Sequence, residues 1–167
     1  MNKIALIISD AWQHLHEDDV RDFPLFYEEY NSFINYLSVI CHYESLKPDI
    51  DIIHCVGPRP KEEMDDMTLH EAFKQCDYNY EVLTNIVNIS TSYDYYLFCG
   101  FHIDQCIKRK IFNLVDFTSI ETHKIGIVLN LSNFSPECTA NYISFLPDLS
   151  HYYWTRNGYR MVDIRSV

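Results

Sequence analysis

Three residues of this chain carry types and positions that could do chemistry together: Asp10, Lys74 and Cys106. Asp10 directly follows the apolar run KIALIIS. Cys106 comes shortly after Gly100, which stops the run DYYLFCG, and opens a basic segment patterned like a helix. Lys74 ends a long polar stretch. A thiolate is the working nucleophile, and a helix N-terminus with a nearby ammonium favours it. A carboxylate within reach can take the thiol proton and later hand it to a leaving amine. Backbone N–H groups at the helix start can hold an oxyanion. Such a set would hydrolyse an amide. Taken singly, each residue has an ordinary explanation: a turn aspartate, a surface lysine, an inert and partly buried thiol.

The elements that must bring them together can be read from periodicity. KIALIIS and DIDIIHCVG are short, isoleucine-rich runs, as expected of strands buried on both faces. Phe26, Tyr30, Phe33, Leu37, Ile40 and Cys41 recur at helical spacing, which predicts a helix from about Pro24 to Tyr43. Residues 58–79 read as a long acidic loop with a short element at Leu69 to Phe73. Glu81 to Ile89 reads as a helix and DYYLFCG as a strand. Ile103, Ile107, Ile111 and Leu114 mark the helix after it. KIGIVLNLS is another buried strand. Ser135 and Pro136 start a helix to about Phe145, and Gly158 to Ile164 is a last, weaker strand. The alternation predicts an α/β fold, three-layer α/β/α and Rossmann-like, with a largely parallel sheet of five to six strands. In such sheets ligands bind at the carboxyl ends of the strands, where strand order switches.

Length and composition narrow the function. At 167 residues with 47% hydrophobic and 22% charged residues, residues 1–167 are expected to form a single domain. A formal net charge of -11 argues against nucleic acid and anionic membranes as partners. The KRK run at Lys108 to Lys110 is too short to change that and reads as a solvated helix face. Four glycines cannot make a GxGxxG or P-loop phosphate cradle. Six cysteines without a CxxC pair match no zinc spacing, and reduced thiols are expected. No export signal or membrane span is read at the N-terminus, so the expected location is cytoplasmic.

Four segments resemble the isochorismatase-like cysteine hydrolases. ALIISDAW is similar to that family's first strand, which ends in an aspartate. DIDIIHC resembles its second strand, and GFHIDQCI its nucleophile segment, with Gly100, His102 and Cys106 in register. Phe112 also fits, and Lys74 lies at a similar distance upstream of the cysteine as the family's lysine. The resemblance implies hydrolysis of a small amide or related C–N bond through a Cys106 thioester, with Asp10 as base and Lys74 as the third member of a triad. It implies an oxyanion hole from the backbone N–H groups of His102 and Cys106. No cofactor is expected.

The sequence also departs from that pattern. Ile103, Asp104 and Gln105 stand where Thr-Asn is usual, and Asp104 sets a second carboxylate near the thiol. Asn130 ends a strand where an acidic residue is frequent, and Lys61 is a second candidate for the lysine. A degenerate member that binds a small ligand or a protein is therefore the alternative. The metal motif of the nicotinamidases is missing between the second strand and Lys74, so no metal is expected. His14 and His16 read as a pocket rim or turn. Trp12, Tyr80 and Phe101 are expected to line a pocket for a small-molecule substrate. HYYWTRNGY reads as a subunit interface, with a homodimer or higher homo-oligomer expected.

Overall fold

Strand β1 (Ile4–Ser9) is the pivot of the sheet. It pairs in parallel with β2 (Ile50–Cys55) on one side and β4 (Tyr95–Gly100) on the other. All three are runs of β-branched and aromatic residues with almost no exposed position, as a central parallel sheet requires. The computed structural model describes residues 2–11, 24–57, 69–134 and 149–162. Within them lie a seven-stranded sheet of order β3-β2-β1-β4-β5-β6-β7 and three α-helices. These are α1 (Pro24–Ser45), a short α2 (Glu71–Lys74) and α3 (Lys108–Phe117). Strands β3 (Tyr80–Leu83), β5 (Ile125–Ser132) and β6 (Ser150–Thr155) are also parallel to their neighbours, while β7 (Gly158–Val162) is antiparallel. The chain steps outward from β1 to β3, then returns to β4 and builds the other half. The switch in strand order therefore falls between β1 and β4, at the ends of which Asp10 and Gly100 sit.

Alternating strand residues feed two separate cores. Ala5, Ile7, Ile53, Tyr96, Phe98 and Ile127 pack with Ile103, Ile107, Ile111 and Leu114 under α3. Leu6, Ile8, Ile52, Leu97, Cys99 and Val128 pack with Tyr30, Ile34, Leu37 and Cys41 of α1. Burying a large aliphatic or aromatic side chain in such a layer stabilises by about 1.5–3 kcal/mol. These rows hold the two helices rigidly against the sheet. The fold is the α/β arrangement expected, and α1 runs to Ser45, slightly beyond the expected Tyr43.

Two expectations change. Glu81 to Ile89 is not a helix. Tyr80–Leu83 pairs with Ile52–Cys55 as the edge strand, and the rest forms a 3-10 turn at Ile86–Asn88, where the Asn85 side chain caps the Val87 N–H. Open backbone groups along β2 outweigh a weak helical pattern there. The sheet has seven strands, more than the five to six expected, because Tyr80–Leu83 and Ser150–Thr155 join it; HYYWTRNGY spans the hairpin between β6 and the expected last strand β7. Its Asn157–Gly158 dipeptide is a hairpin signal, with Gly158 at φ +114 where a side chain would be strained. The expected helix at 135–145 lies outside the described residues. Among those described, no helix is long and apolar enough to cross a membrane.

Candidate functional site

The backbone at the switch point is tight. Asp10 takes φ 54, a left-handed conformation uncommon for a residue other than glycine. Its N–H donates to the Cys55 carbonyl at 3.2 Å, tying it to the end of β2. On the other side, Gly100 takes φ +98, and a Cβ placed there would lie 2.6 Å from the Ser9 carbonyl oxygen. The missing side chain lets the two strand ends close up, so that the Phe101 N–H reaches Ser9 O at 3.0 Å. Next, the Ile103 N–H donates to Asn133 O at 2.9 Å, and the Asn133 N–H donates to Gly100 O at 2.9 Å. The segment leading into the Cys106 turn is thus clamped between β1 and the end of β5.

Cys106 sits in a single π-helical stretch, Ile103–Ile107, which runs directly into α3. Wide turns of this kind recur at functional sites, because the extra residue re-aims a side chain without ending the helix. Ile103 and Ile107 are fully buried and pin the turn, while Cys106 is partly exposed. The His102 carbonyl accepts the N–H groups of Gln105 (3.2 Å) and Ile107 (3.0 Å), which closes the first turn.

Asp10 meets a cation, but it is Lys110. The Lys110 ammonium donates to Asp10 Oδ2 at 2.5 Å and to Ser9 Oγ at 3.0 Å. The Ser9 hydroxyl also donates to Asp10 Oδ2, at 2.9 Å. The two side chains of the ion pair are only 4% and 7% exposed. Both of these bonds fall on Oδ2, so among the described residues one oxygen of the carboxylate is occupied and the other, Oδ1, is open. Cys55 lies in the same neighbourhood: burial pushes its thiol up to about 11, with the charge of Lys110 opposing and that of Asp10 adding. Burial likewise pushes the Cys41 and Cys99 thiols well above the ordinary range.

Lys74 is elsewhere. It ends α2 with a side chain 41% exposed, 3.9 Å from Glu71, and makes no ion pair with Asp10. Phe101 is a core residue under the site: its ring tilts on Tyr30 at 4.6 Å and meets Phe33 edge-on at 5.2 Å. His102 follows it, ring against ring at 5.4 Å. Tyr80 opens β3 and lines a cavity of about 570 Å³ with Tyr78, Tyr93 and Asp51, at the amino ends of the strands and away from Asp10. Trp12, His14, His16 and Lys61 lie outside the described residues. Asn130 joins β5 to β6 beyond their ladder, because its amide donates to Trp154 O at 3.0 Å and accepts the Trp154 N–H at 2.8 Å.

Lys110 reads as a solvated charge within KRK, yet the sequence holds a signal against that. It falls three residues after Ile107 and four before Leu114, on the stripe that packs against the sheet. A lysine there must either snorkel out or meet a buried anion.

No protein-family model and no curated protein matches the chain. Among solved structures it is similar to a hypothetical protein from Trypanosoma cruzi, at 14% identity and TM-score 0.44, over 81% of this chain and 68% of that one. It is also similar to a nicotinamidase from Staphylococcus aureus, at 14% identity and TM-score 0.38, over 82% of this chain and 88% of that one. The likeness is one of α/β fold.

Proposed function

We propose that this chain is a cysteine hydrolase acting on a small amide or related C–N bond, with Cys106 as nucleophile and Asp10 as the proton carrier. The observation that carries the reading is the buried Asp10–Lys110 pair, which fastens the end of β1 to the helix that Cys106 opens and, among the described residues, leaves Asp10 Oδ1 open. In the first step the Cys106 thiol gives its proton to the Asp10 carboxylate. Its sulfur forms a bond to the carbonyl carbon, whose oxygen becomes an oxyanion facing the N–H groups at the helix start. Collapse restores the carbonyl, breaks the C–N bond and passes the Asp10 proton to the departing amine. Water then attacks the thioester, giving its proton to Asp10. The C–S bond breaks, and the sulfur takes that proton back to leave as the thiol while the acid departs.

The test is alkylation of every cysteine as a function of pH, read by peptide mass spectrometry, followed by a screen of small amides against wild type and Cys106→Ser. Selective labelling of Cys106 below the ~8.5 midpoint of a free thiol, with turnover lost in Cys106→Ser, is the expected result. If Cys106 titrates like an ordinary thiol and no amide is turned over, the hydrolase reading is abandoned for that of a binding module.

A further inference from the structure

We infer that Lys110, not Lys74, supplies the positive charge of this site, and that the nucleophile helix therefore carries both the thiol and the ammonium that acts on it. The inference rests on the hydrolase reading above and deepens it. Cys106 and Lys110 are four residues apart on one continuous π-to-α segment, so their side chains share a face, with about 5–6 Å between Cβ atoms. Lys110 is held where it is by two partners at the end of β1, Asp10 and Ser9, at 2.5 and 3.0 Å. Its charge is screened little, since almost none of the side chain meets solvent. Lys74, by contrast, is an exposed end-of-helix lysine beside Glu71.

The charged and titratable groups around this point are few among the described residues. Asp10 and the Ser9 hydroxyl face Lys110 from β1. Cys55 faces it from β2, with a thiol that feels both charges of the pair. On the same segment His102 and Asp104 lie ahead of Cys106, and Lys108 and Arg109 follow it. An ammonium one turn past the thiol favours the thiolate, whereas Asp10 and Asp104 oppose it. The pair would therefore set Cys106 reactivity by difference. The ammonium positions Asp10 through Oδ2 and stabilises the thiolate, and the carboxylate keeps Oδ1 for the proton.

This arrangement fixes the sign of each variant in the alkylation experiment. Lys110→Met should move the Cys106 labelling midpoint up by about one pH unit or more and slow labelling at neutral pH about tenfold. Lys110→Arg, which keeps the charge, should restore most of the rate. Asp10→Asn should move the midpoint down, because Lys110 loses its counter-charge. Lys74→Ala should stay within about twofold of wild type, as expected of a solvent-screened charge that makes no ion pair with Asp10. A merely structural pair would move Lys110→Met and Asp10→Asn the same way. Because Lys110→Met leaves a buried carboxylate unpaired, the double variant Asp10→Asn/Lys110→Met removes both charges, and circular dichroism checks its fold. Its midpoint should lie above that of Asp10→Asn alone, since only the ammonium separates the two. Equal midpoints in those two variants overturn the inference. So does a profile that shifts in Lys74→Ala and not in Lys110→Met, and in both cases the hydrolase reading survives. An ordinary midpoint for Cys106 in wild type together with no turnover of any amide removes that reading and the inference with it.

Discussion

Two lysine–carboxylate pairs lie at opposite ends of this sheet, and they are nearly equal in length. Lys110 meets Asp10 at 2.5 Å past the carboxyl end of β1, and Lys47 meets Glu44 at 2.6 Å where α1 gives way to β2. In other respects they differ. Glu44 and Lys47 are three residues apart, so the pair forms whenever the local turn forms. Lys47 keeps 29% of its side chain in solvent, and the buried carboxylate gains a second donor from Trp154 Nε1 at 2.8 Å. Asp10 and Lys110 are 100 residues apart and both are nearly sealed from water. Desolvating two charges costs several kcal/mol per ion before their attraction returns any of it. A local pair whose lysine stays partly in solvent costs less. A distant, sealed pair costs much more, and here it sits at the switch point, with Lys110 four residues past the partly exposed Cys106. The comparison singles out Asp10–Lys110 as the costlier of the two pairs.

The largest expected effect comes from breaking the sealed pair. Lys110→Met should lower unfolding stability by about 3–5 kcal/mol in urea titrations, since the buried Asp10 is left charged without a counter-ion and with only the Ser9 hydroxyl as donor. The double variant Asp10→Asn/Lys110→Met should recover most of that loss. A single variant as stable as wild type would mean that water reaches Asp10, and the contrast with Glu44 would disappear.

Next comes the backbone that sets Asp10. In Gly100→Ala the new Cβ meets the Ser9 carbonyl at 2.6 Å, at a φ that side chains rarely adopt. The backbone conformation alone should cost about 1–3 kcal/mol, and relief of the contact would push the β1 and β4 ends apart. Cys106 labelling should change along with stability in this variant. A stable Gly100→Ala protein with wild-type labelling would show that close approach of the two strands is not what holds the site.

At the other end, Trp154→Phe removes one donor from the buried Glu44 and leaves Lys47 in place. A hydrogen bond to a charged group is worth about 1.5–3 kcal/mol, and the lower part of that range is expected because the Lys47 bond remains. Cys106 labelling should not move. A change in labelling would couple the two ends of the sheet and contradict their independence.

How much of this is legible in the sequence follows from range. The central strands show in unbroken isoleucine runs, and α1 in its 3.6-residue stripe, because burial on a given face is a local pattern. Tyr80–Leu83 does not show, since an edge strand is defined by the free backbone of β2 and not by its own composition. The β6–β7 hairpin carries its signal in Asn157–Gly158, which a reading of the aromatic residues as an interface passes over. Asp10 and Cys106 are legible because each sits at the end of an element. Lys74 is suggested by a resemblance in spacing, and nothing local shows that its side chain ends in solvent. Lys110 is hidden by its neighbours Lys108 and Arg109, although its place on the apolar stripe distinguishes it. Ion pairs that span most of a chain leave no contiguous trace, and so the costly pair is the one that sequence reading misses.

The pair at the amino end sharpens the comparison most. Lys47→Met deletes a cation as close to its carboxylate as Lys110 is to Asp10 and leaves the fully buried Glu44 with the Trp154 donor, yet the expected loss is only about 1.5 kcal/mol, the low end for a hydrogen bond to a charged group. Three features keep it small. Lys47 is partly solvated, so its charge is already screened. The pair closes within one turn, so little chain entropy depends on it. Glu44 keeps the Trp154 donor, so the remaining carboxylate is not left bare. If urea titration gave a loss for Lys47→Met as large as for Lys110→Met, distance and burial of the carboxylate alone would govern both pairs. The separation in sequence and the sealing of the lysine would then count for nothing, and the case for a special role at Lys110 would have to rest on the thiol titration by itself.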